Sequence, residues 1–330
     1  MRLQVWPGRG CCILSHRASC NDSKGGLLGC WGGVRSHGNM VERSASLAQR
    51  GNVTAEDGRG RGEERMVVWQ AMVDLEQLSS KVQSFRDLHA GPGMLVMANA
   101  WDAASAQRFE AAGFPAIATT SGGVAPAIGY ADHEAAPAEE MLAAAERIIR
   151  SVPLPVTVDF EAGYQLPPAE IARRLIQIGA AGLNLEDTDH YGTSGLVPAE
   201  AQAERLAAVK AEAQALGIDL FLNARVDVFI RRGGDVSTQL EEGLQRARLY
   251  REAGADCIYP ISLSDPTAIR ALVEAVEVVN VTVRRGGPIS VTAAAQAGAR
   301  RVTYAASIFR ESMSLVDQIA AEIRSETPGV

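Results

Sequence analysis

Cysteine is nearly absent from the body of this 330-residue chain. Four of the five, Cys11, Cys12, Cys20 and Cys30, fall within the first 30 residues, and Cys257 stands alone after them. One thiol cannot staple a domain, so most of the chain is no disulfide scaffold and suits a reducing, cytoplasmic compartment. Long apolar runs are missing too: none approaches the roughly 20 residues of a membrane-spanning helix. Basic charge is not in excess. The net charge of −7 leaves no footprint for nucleic acid or for an anionic membrane surface. No Gly-x-Gly-x-x-Gly turn follows the first strand candidate, which weighs against an open dinucleotide-binding sheet.

Residues 1–65 lack both sustained alternation and a helical stripe. They carry 10 Lys and Arg against 6 Asp and Glu, the opposite balance to the rest of the chain. No Cys-x-x-Cys pair supports a zinc site there, and no apolar core or amphipathic arginine helix supports a targeting peptide. They are expected to be a disordered or non-native extension, with the folded catalytic domain spanning 66–330 and Met66 as a sensible start.

Beyond Met66 short β-branched or apolar runs alternate with Ala-rich helical stretches. Eight strand candidates stand out: 95–100, 115–121, 155–161, 182–187, 220–227, 256–260, 278–283 and 301–305. Several of the intervening helices end on a glycine (EAAGF, QIGAAG, REAGAD, QAGARR), which suits a left-handed C-cap returning the chain to the next strand. Eight such units match an α/β (β/α)8 TIM barrel, which takes about 250 residues.

Carboxylates at the end of an apolar run are unusual, and "PVTVDFEAGY" places two, Asp159 and Glu161, beside Gly163. Strand side chains alternate, so both are expected to face the barrel interior at its catalytic, carboxyl-terminal mouth. The same parity pairs Asn184 with Glu186 and aligns Asn223, Arg225 and Asp227, while the turn Thr120-Ser121-Gly122-Gly123 supplies polar groups. Three acids aimed at one pocket would raise one another's pKa unless a cation intervened. Oxygen donors without histidine or cysteine select a hard ion, Mg²⁺ foremost. Structural pairing with arginine or helix capping would explain one such acid, but not three together with Arg225.

These segments resemble the isocitrate lyase/phosphoenolpyruvate mutase superfamily over about residues 75–320. "MANAWDAASAQRFEAAGFPAIATTSGGVAPAIGYAD" is similar to its first two strand–helix units. "PVTVDFEAGY" resembles its metal segment, "GLNLED" its strand-four acid and "LNARVDVF" its Asn-Ala-Arg segment. The resemblance implies a Mg²⁺-dependent barrel, with Mn²⁺ as a substitute, that binds a 2-oxo acid or its enolate. It also implies a homo-oligomer, a dimer of dimers, with the last helix open to exchange between subunits. Asp159 would bind the metal directly, and Glu161, Glu186 and Asp132 would hold its waters. Ser121, Gly122 and Gly123 would receive the substrate carboxylate, and Arg225 would pair with carboxylate and enolate oxygen. Trp101 and Asp102 read as an aromatic anchor and a helix N-cap.

One departure decides the reaction class. Lyases of the superfamily carry a Lys-Lys-Cys-Gly loop after strand four; here the loop reads "DTDHYGTSGLVP" (187–198), without lysine or cysteine. Cys257 opens strand six and reads as a small core residue. Val226, where the superfamily often has threonine, is a minor difference. The expected chemistry is therefore decarboxylase- or lyase-type cleavage of a 2-oxo dicarboxylate, oxaloacetate foremost, through a metal-stabilised enolate. The candidate catalytic residues are Arg225, Glu186, Tyr164 and His190, with Tyr191 or water as further proton sources. Phosphorus–carbon chemistry on phosphonopyruvate is the enzymatic alternative, and a catalytically silent binding barrel the non-enzymatic one.

Overall fold

The computed structural model describes residues 74–327, apart from 193, 194, 232 and 234. The expected extension, 1–65, lies outside the described residues. Helix α1 (Leu75–Ala90) opens the described chain, capped by Asp74, whose carboxylate accepts the Gln77 N–H. It turns Leu78, Val82, Phe85 and His89 inward. Phe85 meets the Phe221 ring edge-on, and His89 stacks on it with centroids 4.1 Å apart. Phe221 begins its strand, so α1 packs against the amino-terminal end of the sheet.

The strands that follow are β1 (Leu95–Val96), β2 (Ala98–Ala100), β3 (Ile117–Thr119), β4 (Val156–Asp159), β5 (Gly182–Glu186), β6 (Phe221–Val226), β7 (Cys257–Pro260), β8 (Asn280–Thr282) and β9 (Arg301–Thr303). Every one falls inside an expected segment, and every pairing is parallel. Two arcs result, β2 to β7 in sequence order and β1-β9-β8. They join at both seams. At one, β1 and β2 are a single strand interrupted at Met97, whose N–H still reaches Val302 O at 3.0 Å. At the other, Ile258 bridges Val279. The sheet thus closes into the eight-stranded barrel that the alternation implied.

Helices α2 (Ala103–Ala111), α3 (Ser121–Ala127), α4 (Ala138–Ser151), α5 (Pro168–Gln177), α6 (Ala199–Ala215), α7 (Val228–Arg231), α8 (Val236–Glu252), α9 (Pro266–Val276), α10 (Val291–Gln296) and α11 (Ser307–Glu326) connect and follow the strands. The helix-ending glycines Gly113, Gly179, Gly254 and Gly298 all have φ between 82° and 97°, the left-handed conformation that glycine adopts without a Cβ clash. Asp102 caps α2 in a reciprocal capping box with Ser105. Trp101 packs edge-on against Phe109 and Phe309. Cys257 is buried, and burial pushes its thiol up to about 12, so it is an inert core group. None of the described helices is long and apolar enough to cross a membrane.

Candidate active site

A cleft of roughly 180 Å³ opens at the carboxyl-terminal ends of the strands. Asp132, Asp159, Glu161, Glu186 and Arg225 all line it, with Ser121 and Gly122. A larger depression of about 530 Å³ lies against Gly91–Val96 near the amino ends, but Asp87 is its only charged lining residue. The chemistry is concentrated in the smaller cleft.

Asp159 ends β4. Its Oδ2 accepts the Ser121 N–H at 2.9 Å, and its own N–H donates to Thr119 Oγ1 at 2.8 Å. Glu161 reaches the cleft by a different route from the expected one. The strand stops at Asp159, and Glu161 sits in the following turn at φ 47°, so a turn rather than strand parity brings the two acids together. Gly163 permits that turn: at φ 81°, a Cβ would stand 2.6 Å from Arg205 Nη2 and 2.7 Å from Ile171 Cδ1. Glu161 is only 3% exposed. Its Oε2 accepts the Glu134 N–H at 2.7 Å and its Oε1 accepts the Tyr164 hydroxyl. Burial, reinforced by Asp159 and Asp132, pushes its carboxyl up to about 7 despite those bonds.

Glu186 ends β5 and is buried between two cationic or protonatable partners. Its Oε2 lies 2.5 Å from Arg225 Nη1 and its Oε1 2.7 Å from His190 Nε2. Burial raises its carboxyl well above the usual range against the pull of Arg225. Asp227 does not line the cleft as the parity argument expected. It lies just beyond β6, fully buried, and grips Arg225 from behind. Its N–H donates to Asp187 Oδ1 at 2.8 Å, and Asp187 Oδ2 accepts from Tyr250 at 2.7 Å and Arg246 at 3.0 Å. Burial and the neighbouring Asp227 raise the Asp187 carboxyl to about 6. A buried network therefore fixes Arg225 in place.

Other expected residues fall differently. Ser121 and Gly122 start α3 at the cleft, and the missing Gly122 side chain leaves room for Asp132, whose Oδ2 would lie 2.8 Å from a Cβ there. Gly123 turns away: its Cβ position faces Thr120, Trp101 and Phe309, and its N–H is taken by Thr120 O. It is not placed to receive a substrate carboxylate. Tyr164 donates to Glu161, and its ring packs on Phe160. Burial, first of all, raises its hydroxyl far above the ordinary value, so it is a poor proton donor. Tyr191 is 59% exposed, whereas His190 folds inward against Glu186.

Sequence reasoning missed His133 and Glu134. Both have left-handed backbones, φ 71° and 57°. The Glu134 carboxylate accepts the Tyr164 N–H at 2.6 Å, tying this loop to the Glu161 turn. The run Asp132-His133-Glu134 was a legible signal, three consecutive polar donors after a helix end. One ligand atom each from His133, Glu161 and His190 lie within 4.8 Å of one another, so the groups able to hold an ion here include imidazole nitrogen as well as oxygen. Arg284 and Arg310 border the far side of the cleft, with Tyr259 and Thr282. The Tyr259 hydroxyl and Thr282 Oγ1 are 2.6 Å apart.

The sequence pattern of the family described as phosphoenolpyruvate phosphomutase matches residues 85–324. The chain belongs to this family, within the isocitrate lyase/phosphoenolpyruvate mutase superfamily. A candidate phosphonomutase of Burkholderia cenocepacia shares 37% identity and superposes with a TM-score of 0.69, covering 73% of this chain and 99% of that one. An uncharacterised protein of Mycobacterium tuberculosis is 35% identical over 57% of this chain and 69% of its own length. The 2-methylisocitrate lyase of Salmonella typhimurium is 28% identical over 76% of this chain and 86% of its own. Family members are lyases and mutases, typically dependent on a divalent metal. The cleft fits such an ion: four carboxylates converge there, and the buried Asp132 Oδ1 has no hydrogen-bond partner among the described residues.

Proposed function

We propose that this chain is a divalent-metal-dependent lyase that cleaves a small 2-oxo dicarboxylate, with oxaloacetate as the leading candidate. The observation that carries this reading is the division of the cleft into an acidic wall (Asp132, Asp159, Glu161, Glu186) and an arginine-bearing wall (Arg284, Arg310), with Arg225 beside the acids. A cation held by the first wall and a carboxylate held by the second fit a doubly anionic molecule, and roughly 180 Å³ suits one of few atoms.

Asp159 would hold a Mg²⁺ or Mn²⁺ ion, with Glu161, Glu186 and Asp132 around it, and the ion would supply Lewis-acid polarisation of the 2-oxo group. Ser121 and Gly122 border the position of the adjacent carboxylate. Arg225, immobilised by Asp227, presents fixed positive charge where enolate charge develops, and needs no reorganisation to do so. Arg284 and Arg310 orient the distal carboxylate. Tyr164 and His190 are each bonded to an acid, so we assign proton delivery to water rather than to either side chain.

The relationship to a candidate phosphonomutase favours phosphonopyruvate chemistry as the second reading. Product analysis after incubation with each compound separates the two: pyruvate and CO₂ from oxaloacetate support the lyase, and turnover of phosphonopyruvate alone replaces it. Turnover of neither, with no heat of Mg²⁺ binding in the presence of oxalate, supports a silent barrel. We further propose that residues 66–330 suffice for this activity. The apolar residues exposed on α11 point to self-association as a homo-oligomer, in which that helix packs on another subunit.

A further inference from the structure

We propose that His133, Glu161 and His190 form a second cation site at the lip of the cleft, one that takes a transition-metal ion of the Mn²⁺, Co²⁺ or Zn²⁺ class. The site lies beside the oxygen-donor position around Asp159 and shares Glu161 with it. It does not depend on which reaction the cleft catalyses.

Three separate loops deliver the donors. His133 follows α3, Glu161 follows β4 and His190 follows β5, yet one ligand atom from each falls within 4.8 Å of the other two. The two imidazole rings sit 5.7 Å apart, tilted by 36°. Among the described residues this is the one such grouping of His, Cys, Asp and Glu donors. Hydrophobic packing does not explain it, because His133 is exposed and no side chain of the described residues hydrogen-bonds to its ring. Two of the loops involved have left-handed backbones: His133, Glu134 and Glu161 all have positive φ.

The surroundings complete the arrangement. Glu186 Oε1 lies 2.7 Å from His190 Nε2, which fixes the tautomer and orientation of the ring as carboxylates do behind ligating histidines. Glu161 is steadied by the Tyr164 hydroxyl and the Glu134 N–H. Two imidazoles and one carboxylate with open positions are the donor set of a borderline metal, whereas Mg²⁺ prefers oxygen throughout. The neighbouring Asp159 and Asp132 offer only oxygen and keep the hard ion.

Pulsed electron paramagnetic resonance on the full-length, metal-free protein loaded with Mn²⁺ tests this directly. Directly bound imidazole gives a ¹⁴N modulation that water and carboxylate ligands do not. The expected result is a ¹⁴N signal that persists in Asp159→Asn and under excess Mg²⁺. His133→Asn and His190→Asn should each abolish part of it and weaken Co²⁺ binding, measured by visible absorption, by on the order of 10–100-fold. His133 is exposed, so its variant should retain the wild-type circular dichroism spectrum. Bound Mn²⁺ without ¹⁴N modulation overturns the site, as does a signal unchanged in both histidine variants. Loss of the signal in Asp159→Asn would show one shared position rather than two, and equally overturns it.

Discussion

Arg225 and Asp227 are joined by two parallel hydrogen bonds, Nε to Oδ1 and Nη2 to Oδ2, both 2.7 Å long, with both residues buried. Residues two apart on one strand seldom chelate each other. Here the strand ends between them at Val226, which lets the aspartate swing beneath the guanidinium. The pair leaves Nη1 against Glu186 and the arginine plane at the cleft.

Lysine cannot reproduce that fork. Arg225→Lys is expected to lower both kcat and kcat/KM for oxaloacetate by on the order of 10²-fold, comparable to removal of one oxyanion donor. A raised KM with unchanged kcat would restrict Arg225 to binding the ground state.

Metal-free stability should depend on pH through Glu161. Its carboxyl is raised from 4.5 to about 7 by burial, so the folded state binds the proton more tightly than the unfolded one. The stabilisation is therefore complete below about pH 4.5 and fades as pH rises to about 7. A divalent cation needs the ionised carboxylate, so its stabilising effect grows over the same interval. Thermal melts in EDTA and in Mg²⁺ between pH 5 and 8 should diverge as pH rises, and Glu161→Gln should flatten the EDTA series. Parallel curves in the wild type would rule this out.

Tyr250→Phe deletes the hydroxyl that donates to Asp187 and accepts from Arg246. Asp187 keeps Arg246 and the Asp227 N–H, so the loss should be that of one buried charge-assisted bond, about 1.5–3 kcal/mol in urea unfolding. A loss near zero would mean that Arg246 re-forms the contact unaided.

Helix α11 exposes Leu315 and Ile323 by 56% and 59%, with Val316 and Ile319 between them. Sedimentation should find an oligomer. Leu315→Glu with Ile323→Glu should shift it toward monomer while the far-ultraviolet spectrum is preserved. A monomeric wild type would remove the proposed subunit contact.

The barrel was legible because its strands lie in short β-branched or apolar runs and most of the described helices stop at a glycine. Those local signals repeat without needing tertiary information. Asp159, Glu186 and Arg225 were legible for the same reason, since strand ends in this architecture face one mouth. Glu161 was placed in the right cleft by an incorrect route: alternation cannot reveal where a strand stops. Gly123 was assigned through the family resemblance, and the helix that starts at Ser121 rotates each successive residue by about 100°, which carries Gly123 away from the cleft. His133 and His190 come from loops with no period, and only the folded arrangement of β4, β5 and their connections brings them together. Asp187 was unreadable as part of the site since its role is to hold another acid in place.

The two arcs of the sheet have an electrical consequence. Cleft carboxylates come from the β2–β7 arc, whereas Arg284 and Arg310 follow β8 and β9 of the other. The seam between the arcs is therefore also a boundary in potential, and the mouth carries a dipole across its width. An elongated dianion drifting toward it is turned as well as attracted, so that one end arrives first. Encounters should then be productive more often than random collisions of two such shapes, and raising the ionic strength should slow capture before it slows turnover.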